Sequence, residues 1–193
     1  MIDETDPDFW PTLWANVGEA TLETLYQVSV TMLLTALIGL AVGVLLVVTD
    51  RGGMLEAPFG SRSFGRGLNW VLQVVVNLGR SIPFIILMIA LIPFTRWIVG
   101  TAFSVTAAIV PLAIAAIPFF ARIVEIALRE VPAGLMEAGS SIGATKWQLV
   151  SKVLIPEAGP ALVLGLTTTA VSVVNFSAIV GVIGGGGLGD LAI

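Results

Sequence analysis

The stretch Glu137-Ala-Gly-Ser-Ser-Ile-Gly-Ala-Thr-Lys-Trp-Gln-Leu-Val-Ser-Lys-Val-Leu-Ile-Pro156 decides how the rest of the chain is read. It is a polar insertion between two long apolar runs, Ser104 to Ala121 before it and Ala161 to Ile179 after it, neither of which carries a charge. Runs of that kind suit a bilayer, whose core of about 30 Å takes roughly 20 apolar residues of helix. The polar stretch between them belongs outside the hydrocarbon, where another protein can reach it.

Composition supports this. Of 193 residues, 56% are hydrophobic and 11% charged, whereas soluble domains carry about 25% charged residues. A soluble fold would have too few polar side chains to cover itself and would expose large apolar patches. With no Cys and no His, disulfides, thiol nucleophiles and the commonest metal and proton-transfer ligands are excluded. No catalytic residue and no metal site is expected. The net charge of −4 is concentrated in Asp3, Glu4, Asp6, Asp8, Glu19 and Glu23, with no Lys or Arg before Gln27. Nucleic acid is therefore not an expected partner. The acidic opening also lacks the basic start and cleavage site of a secretory signal, so the first apolar run is a retained span.

The expected fold is an all-α membrane protein with four transmembrane helices, at about 22–48, 68–95, 104–128 and 158–180. The second carries Arg80 in its middle and Pro83 just after. Starting that span at Ser81 would leave roughly 14 residues, about 21 Å of helix, which is too short; Arg80 is placed within the membrane or at its inner margin. Arg51, Arg62 and Arg66 lie between spans one and two, and Arg129, Lys146 and Lys152 between spans three and four, against Arg96 alone between two and three. By the excess of basic residues on the cytoplasmic side, the richer loops are cytoplasmic and the amino terminus is outside. Residues 1–19 then form an acidic extracytoplasmic segment, and residues 20–193 a membrane domain whose cytoplasmic loop covers 130–156. Trp10, Trp14, Trp70, Trp97 and Trp147 fall near boundaries, as interfacial anchors do.

Within the loop, Pro132 suits a helix start, where its missing N–H costs nothing, and the residues to about Ser141 favour a short helix. Leu135, Ala138 and Ile142 share one face, and Glu137, Ser141 and Ala144 another; the element can rest on one and present the other. Gly139 and Gly143 permit a turn, and Thr145 with Gln148 fits a capping box opening a second short helix. A helix lying at the lipid headgroups through Lys146, Trp147 and Lys152 would read the same way.

Glu137, Ala138, Gly143 and Pro156 match, in register, the cytoplasmic docking loop of ABC importer permeases: Glu-Ala-Ala, three residues, Gly, nine residues, Ile, one residue, Leu-Pro. Gly139, Val153 and Ile155 are mild departures. Arg80-Ser-Ile-Pro-Phe-Ile-Ile-Leu, Ile92-Pro-Phe-Thr-Arg, Pro118-Phe-Phe-Ala-Arg and the terminal Gly-Gly-Gly-Gly-Leu-Gly resemble the methionine importer permeases in particular, over most of residues 20 to 190. The resemblance implies a type I ABC importer permease fold, with a fifth helix truncated at this carboxyl end. It implies uptake of methionine by alternating access, in a homodimer in the bacterial inner membrane. It also implies an ATPase subunit inside that carries the ATP, an extracytoplasmic solute-binding protein, and docking through Glu137, Ala138, Gly139, Ser140, Gly143 and Ala144. No cofactor is expected on this chain.

The sequence has no Gly-x-x-x-x-Gly-Lys-Ser/Thr phosphate loop, so energy must come from a partner. Gly184 to Gly189 formally fits Gly-x-Gly-x-x-Gly, but no βαβ pattern surrounds it; a flexible break outside span four is expected. Asn175-Phe-Ser177 fits the glycosylation pattern inside a span, where it is coincidental. Arg80, Ser81, Ser172, Asn175 and Ser177 are candidates for the translocation path, against helix packing for the hydroxyls and amide and snorkelling for the arginine. Gly39 and Gly43 allow close helix approach, although glycine is common in membrane helices anyway. Arg122, Glu125 and Arg129 read as helix-surface ion pairs worth tenths of a kcal/mol. The competing classes are a permease for another amino acid, an ion-coupled transporter, for which only Arg80 offers an ionisable group within a span, and a membrane scaffold.

Overall fold

The computed structural model describes residues 9–50, 53 and 62–193, Arg62 by its backbone alone. The acidic residues through Asp8, Arg51 and the Arg62 side chain thus lie outside the described residues. Among the described residues every regular element is helical. Helix α1 (Phe9–Leu34) runs through a π-helical stretch (Thr35–Gly39) into α2 (Leu40–Val48), then follow α3 (Arg62–Ser81), α4 (Phe84–Ala90), α5 (Ile92–Val99) and α6 (Val105–Arg129). The loop contains α7 (Ala133–Ser141), α8 (Lys146–Leu149), a second π-helical stretch (Val150–Leu154) and α9 (Ile155–Glu157), and the chain closes with α10 (Gly159–Val182) and α11 (Leu188–Leu191).

Among the described residues, three helices are long and apolar enough to cross a membrane: Phe9–Val48, Val105–Arg129 and Gly159–Val182. The expected second span, 68–95, is not one straight rod. Ser63–Ser81 and Phe84–Ala90 meet at 108° and supply a fourth crossing if the two limbs count as one span. Proline is the cause: Pro83 has no N–H to give, disfavours helical backbone at Ile82, and itself adopts φ −55°, ψ 133°. The first helix also starts earlier than the expected 22, at Phe9.

The chain divides into two compact units, each with its own core. One comprises Met1–Leu33, Ile82–Ala116 and Ala170–Ile193. Here Phe84, Met88, Ala108, Leu112 and Val180 form the core, and Phe84 stacks on Phe176 with centroids 4.4 Å apart. The glycine-rich segment of this unit is strapped down, contrary to the expected flexible break. The Gly187 N–H donates to Glu23 Oε2 (2.7 Å), the Leu188 N–H to Thr24 Oγ1 (2.9 Å), and Gln27 Nε2 donates to the Gly185 carbonyl (2.6 Å). Adjacent turns of α1 thus serve as a template for backbone that has little side chain of its own to pack.

The other unit comprises Leu34–Ser81 and Ile117–Thr169. Phe120, Val124, Ala127 and Leu128 of α6 pack with Leu154 and Ala158, and Leu46, Val76 and Ala121 form a second cluster. Gly39 and Gly43 do more here than reflect composition. A Cβ at Gly39 would come 2.9 Å from Phe120 Cδ1, and one at Gly43 2.5 Å from Val124. Only hydrogen at these two positions lets the backbone come so near α6.

Candidate functional site

The loop elbow belongs to the second unit and is fixed by its own local chemistry. Pro132 is the N-cap of α7, with extended backbone (φ −58°, ψ 129°). After Ile142 the chain reverses through Gly143 at φ 82°, a left-handed conformation that glycine adopts without steric cost. The Gly143 N–H donates to the Ser140 carbonyl (3.0 Å) and the Ala144 N–H to the Gly139 carbonyl (3.2 Å), satisfying carbonyls that a helix end otherwise leaves orphaned. Helix α8 opens with the expected capping box: the Gln148 N–H donates to Thr145 Oγ1 (3.3 Å), and the Thr145 N–H to Gln148 Oε1 (2.8 Å).

The face on which α7 rests differs from the apolar face expected. Met136 packs against the core around Leu128 and Leu154, and Gly139 is buried, a Cβ there falling 2.6 Å from Leu149 Cδ2. The smallest residue therefore sits where α8 crosses, and the orientation this imposes turns the apolar stripe outward. Leu135 is 39% exposed, Ile142 87%, and Ala138 is exposed between them. Of the six docking residues carried over from the family pattern, Glu137, Ala138, Ser140 and Gly143 are exposed, Ala144 is half-buried and Gly139 is buried. Gly139 shapes the elbow, whereas Ile142, which the pattern did not mark, is its most exposed apolar group. The available signal was a branched apolar residue placed directly before a glycine in a polar loop.

Just before the elbow, α6 carries a charged cluster that helix spacing alone underestimates. Glu125 is 2% exposed. It accepts hydrogen bonds from Arg122 Nη1 (2.7 Å), from Arg129 Nη2 (2.8 Å) and Nε (3.1 Å), and from Gln73 Nε2 of α3 (3.1 Å). Arg122 also donates to Gln73 Oε1 (3.2 Å), and Arg129 Nη2 reaches Asp50 Oδ2 at 2.7 Å. These are not simple surface pairs worth tenths of a kcal/mol: a buried carboxylate stripped of its partners costs several. The cluster joins α6 to α3 and to the end of α2, where Asn69 Nδ2 donates to the Leu46 carbonyl (2.8 Å) and to Thr49 Oγ1 (3.1 Å). Asn69 and Gln73 lie on a stripe of α3, Arg66-Asn69-Gln73-Asn77-Arg80, spaced by three and four residues. That periodicity was readable in the sequence.

The candidate path residues fall in different units. Arg80 and Ser81 are exposed at the end of α3, Ser81 Oγ donating to the Asn77 carbonyl at 2.8 Å. In the first unit Asn175 is exposed and Ser172 half-buried, while Ser177 is buried and donates to the Val174 carbonyl at 2.8 Å. A hydroxyl satisfied by its own helix, as at Ser177, has little left to offer a solute.

Residues 51–193 match the family model described as binding-protein-dependent transport system inner membrane component. The chain is 51% identical over 183 residues to the probable D-methionine transport system permease protein MetI of Pasteurella multocida (strain Pm70), covering 95% of this chain and 81% of that protein. It is 46% identical over 177 residues to the methionine import system permease protein MetP of Bacillus subtilis (strain 168), covering 92% and 76%. An inward-facing structure of the MetNI methionine ABC transporter superposes with a TM-score of 0.86 at 44% identity, over 99% of this chain and 82% of that one.

Proposed function

The chain belongs to the binding-protein-dependent transport system inner membrane component family, and from that premise we propose that it is the membrane-spanning permease of an ATP-driven importer taking up methionine by alternating access. The observation that carries the reading is the elbow: two short helices locked by a capping box and a left-handed glycine, presenting Ile142, Leu135 and Glu137 outward. A preformed, largely apolar projection loses little entropy when another protein covers it. The methionine permeases and the methionine transporter that the chain resembles supply the solute.

In this reading the elbow faces the cytoplasm, where the loop arginines and lysines hold it, and seats in an ATPase subunit that hydrolyses the ATP. Closure of two ATPases would pull on two elbows, and the charged cluster at Glu125 would pass the movement to α2, α3 and α6 together. Two copies would line the path, because four or five spans without an internal repeat are too few to enclose one. A solute-binding protein would deliver methionine at the outer face, beside the amino terminus.

The test is uptake of labelled methionine into proteoliposomes holding the permease, its ATPase and its binding protein. Uptake should require ATP and stop with vanadate; equal uptake without the ATPase would refute the reading. At the elbow, Ile142→Asp and Glu137→Arg should each reduce co-purification with the ATPase at least tenfold, about 1.4 kcal/mol, without affecting membrane insertion. Unchanged co-purification would remove that residue from the contact.

A further inference from the structure

Resting on the reading above, we infer that Arg80 is the binding group for the carboxylate of the amino-acid solute at the middle of the membrane. Depth comes first. The neighbouring Gly79 lies against α6 so closely that a Cβ there would fall 2.6 Å from Pro118 Cγ, and Pro118 is near the middle of α6 (Val105–Arg129). A helix of that length spans the bilayer core, so Arg80 sits at mid-depth, roughly 15 Å from either surface. That is deeper than the inner margin allowed by the sequence and beyond the distance an arginine side chain covers by snorkelling.

Pairing comes second. Along the polar stripe of α3, Asn69 and Gln73 are consumed by hydrogen bonds to α2 and α6. Arg122 and Arg129 are satisfied by Glu125, and Arg129 by Asp50 as well. The guanidinium of Arg80 and the side-chain amide of Asn77, one turn earlier, make no hydrogen bond or ion pair among the described residues, and both are exposed, as is Ser81. An unpaired cation facing lipid at this depth is expensive, and such groups ordinarily face water or a ligand. Directly beyond it the helix breaks at Pro83 with a 108° bend, and interrupted helices near the midplane are where transporters bind their solutes.

Ligand chemistry comes third. A guanidinium presents a planar fork of donors matching a carboxylate, and Asn77 adds a neutral donor and acceptor on the same flank. A lipid phosphate is the other anion that could meet this arginine, and the experiment separates the two.

The chain has no cysteine, so Ser81→Cys introduces a single thiol beside an intact Arg80 in the permease, assembled with its ATPase in proteoliposomes. A negatively charged, membrane-impermeant thiosulfonate should modify it, and millimolar methionine should slow the reaction at least threefold while methionine amide does not. Arg80→Gln should lower ATP-driven methionine uptake at least tenfold, and Arg80→Lys should recover part of it. Modification by lipophilic reagents alone would assign the arginine to lipid and overturn the inference, as would Arg80→Gln uptake within twofold of the parent. If the parent protein itself shows no ATP-driven methionine uptake, the importer reading fails, not the role of Arg80 within it.

Discussion

At Glu125, in one unit, two arginines and a glutamine donate side-chain hydrogen bonds to a single buried carboxylate; at Glu23, in the other, a carboxylate accepts the backbone N–H of Gly187 within a run of glycines. Both tie distant parts of the chain together by polar bonds, but they should fail differently. The first depends on charge balance, because burial makes an uncompensated ion costly. The second depends on backbone shape, because the strap needs positive φ at Gly186 and Gly187, which side-chain-bearing residues resist. In the proposed reading the charge-balanced cluster adjoins the elbow that would meet the ATPase, where a stiff joint would pass movement on.

The largest effect expected from breaking this contrast is at the cluster. Removing both cations with Arg122→Ala/Arg129→Ala leaves the Glu125 carboxylate buried with only Gln73 donating to it, at a cost of about 3–5 kcal/mol. The purified complex should unfold at a clearly lower temperature in detergent; a midpoint unchanged from the parent would mean that Glu125 reaches water. Gly187→Ala comes next. It forces a Cβ into left-handed backbone 2.6 Å from Thr24 Oγ1, and strain of this sort costs about 1–3 kcal/mol. The signature should be faster hydrogen exchange at the amides of position 187 and of Leu188, with the elbow amides unaffected. Equal protection in parent and variant would show that the strap tolerates a side chain.

What could be read from the sequence follows the range of the interactions. The elbow was legible because its determinants are local: Pro132, Gly143, and the Thr145 and Gln148 pair each act within a turn of the chain. Its orientation was not, since the seat of Gly139 against Leu149 decides which face is covered, and hydrophobicity pointed to the other face. The spacing of Arg122, Glu125 and Arg129 was visible, but their burial depends on Gln73 and Asp50, brought in from 52 and 79 residues away. Likewise the glycine run announced a break, while the partners that hold it, Glu23, Thr24 and Gln27, lie on the first helix and carry no motif. Pro83 marked the break in the second span, although a composition window runs straight through it.

A gentler comparison uses carboxylate against amide. Glu23→Gln keeps an oxygen able to accept the Gly187 N–H, so only the charge assistance is lost, about 1 kcal/mol. Exchange at Gly187 should rise about fivefold, and a rise as large as that of Gly187→Ala would show that the charge, not the backbone shape, holds the strap.

The smallest effect is expected at the outer member of the charged cluster. Arg129 and Asp50 are 44% and 33% exposed in their side chains, against 3% for Glu125, so water screens their attraction and each has solvent to fall back on. Exposed pairs of this kind contribute about 0.2–1 kcal/mol. Asp50→Asn should therefore shift the unfolding temperature only slightly, and the shift should vanish in about 1 M salt, where the screening length falls to roughly 3 Å. The deficit of Arg122→Ala/Arg129→Ala should survive the same salt, because ions do not reach a carboxylate enclosed by α3 and α6. Should both deficits disappear together, the distinction between a buried joint and a solvated one would be lost, and Glu125 would have to be treated as part of the protein surface.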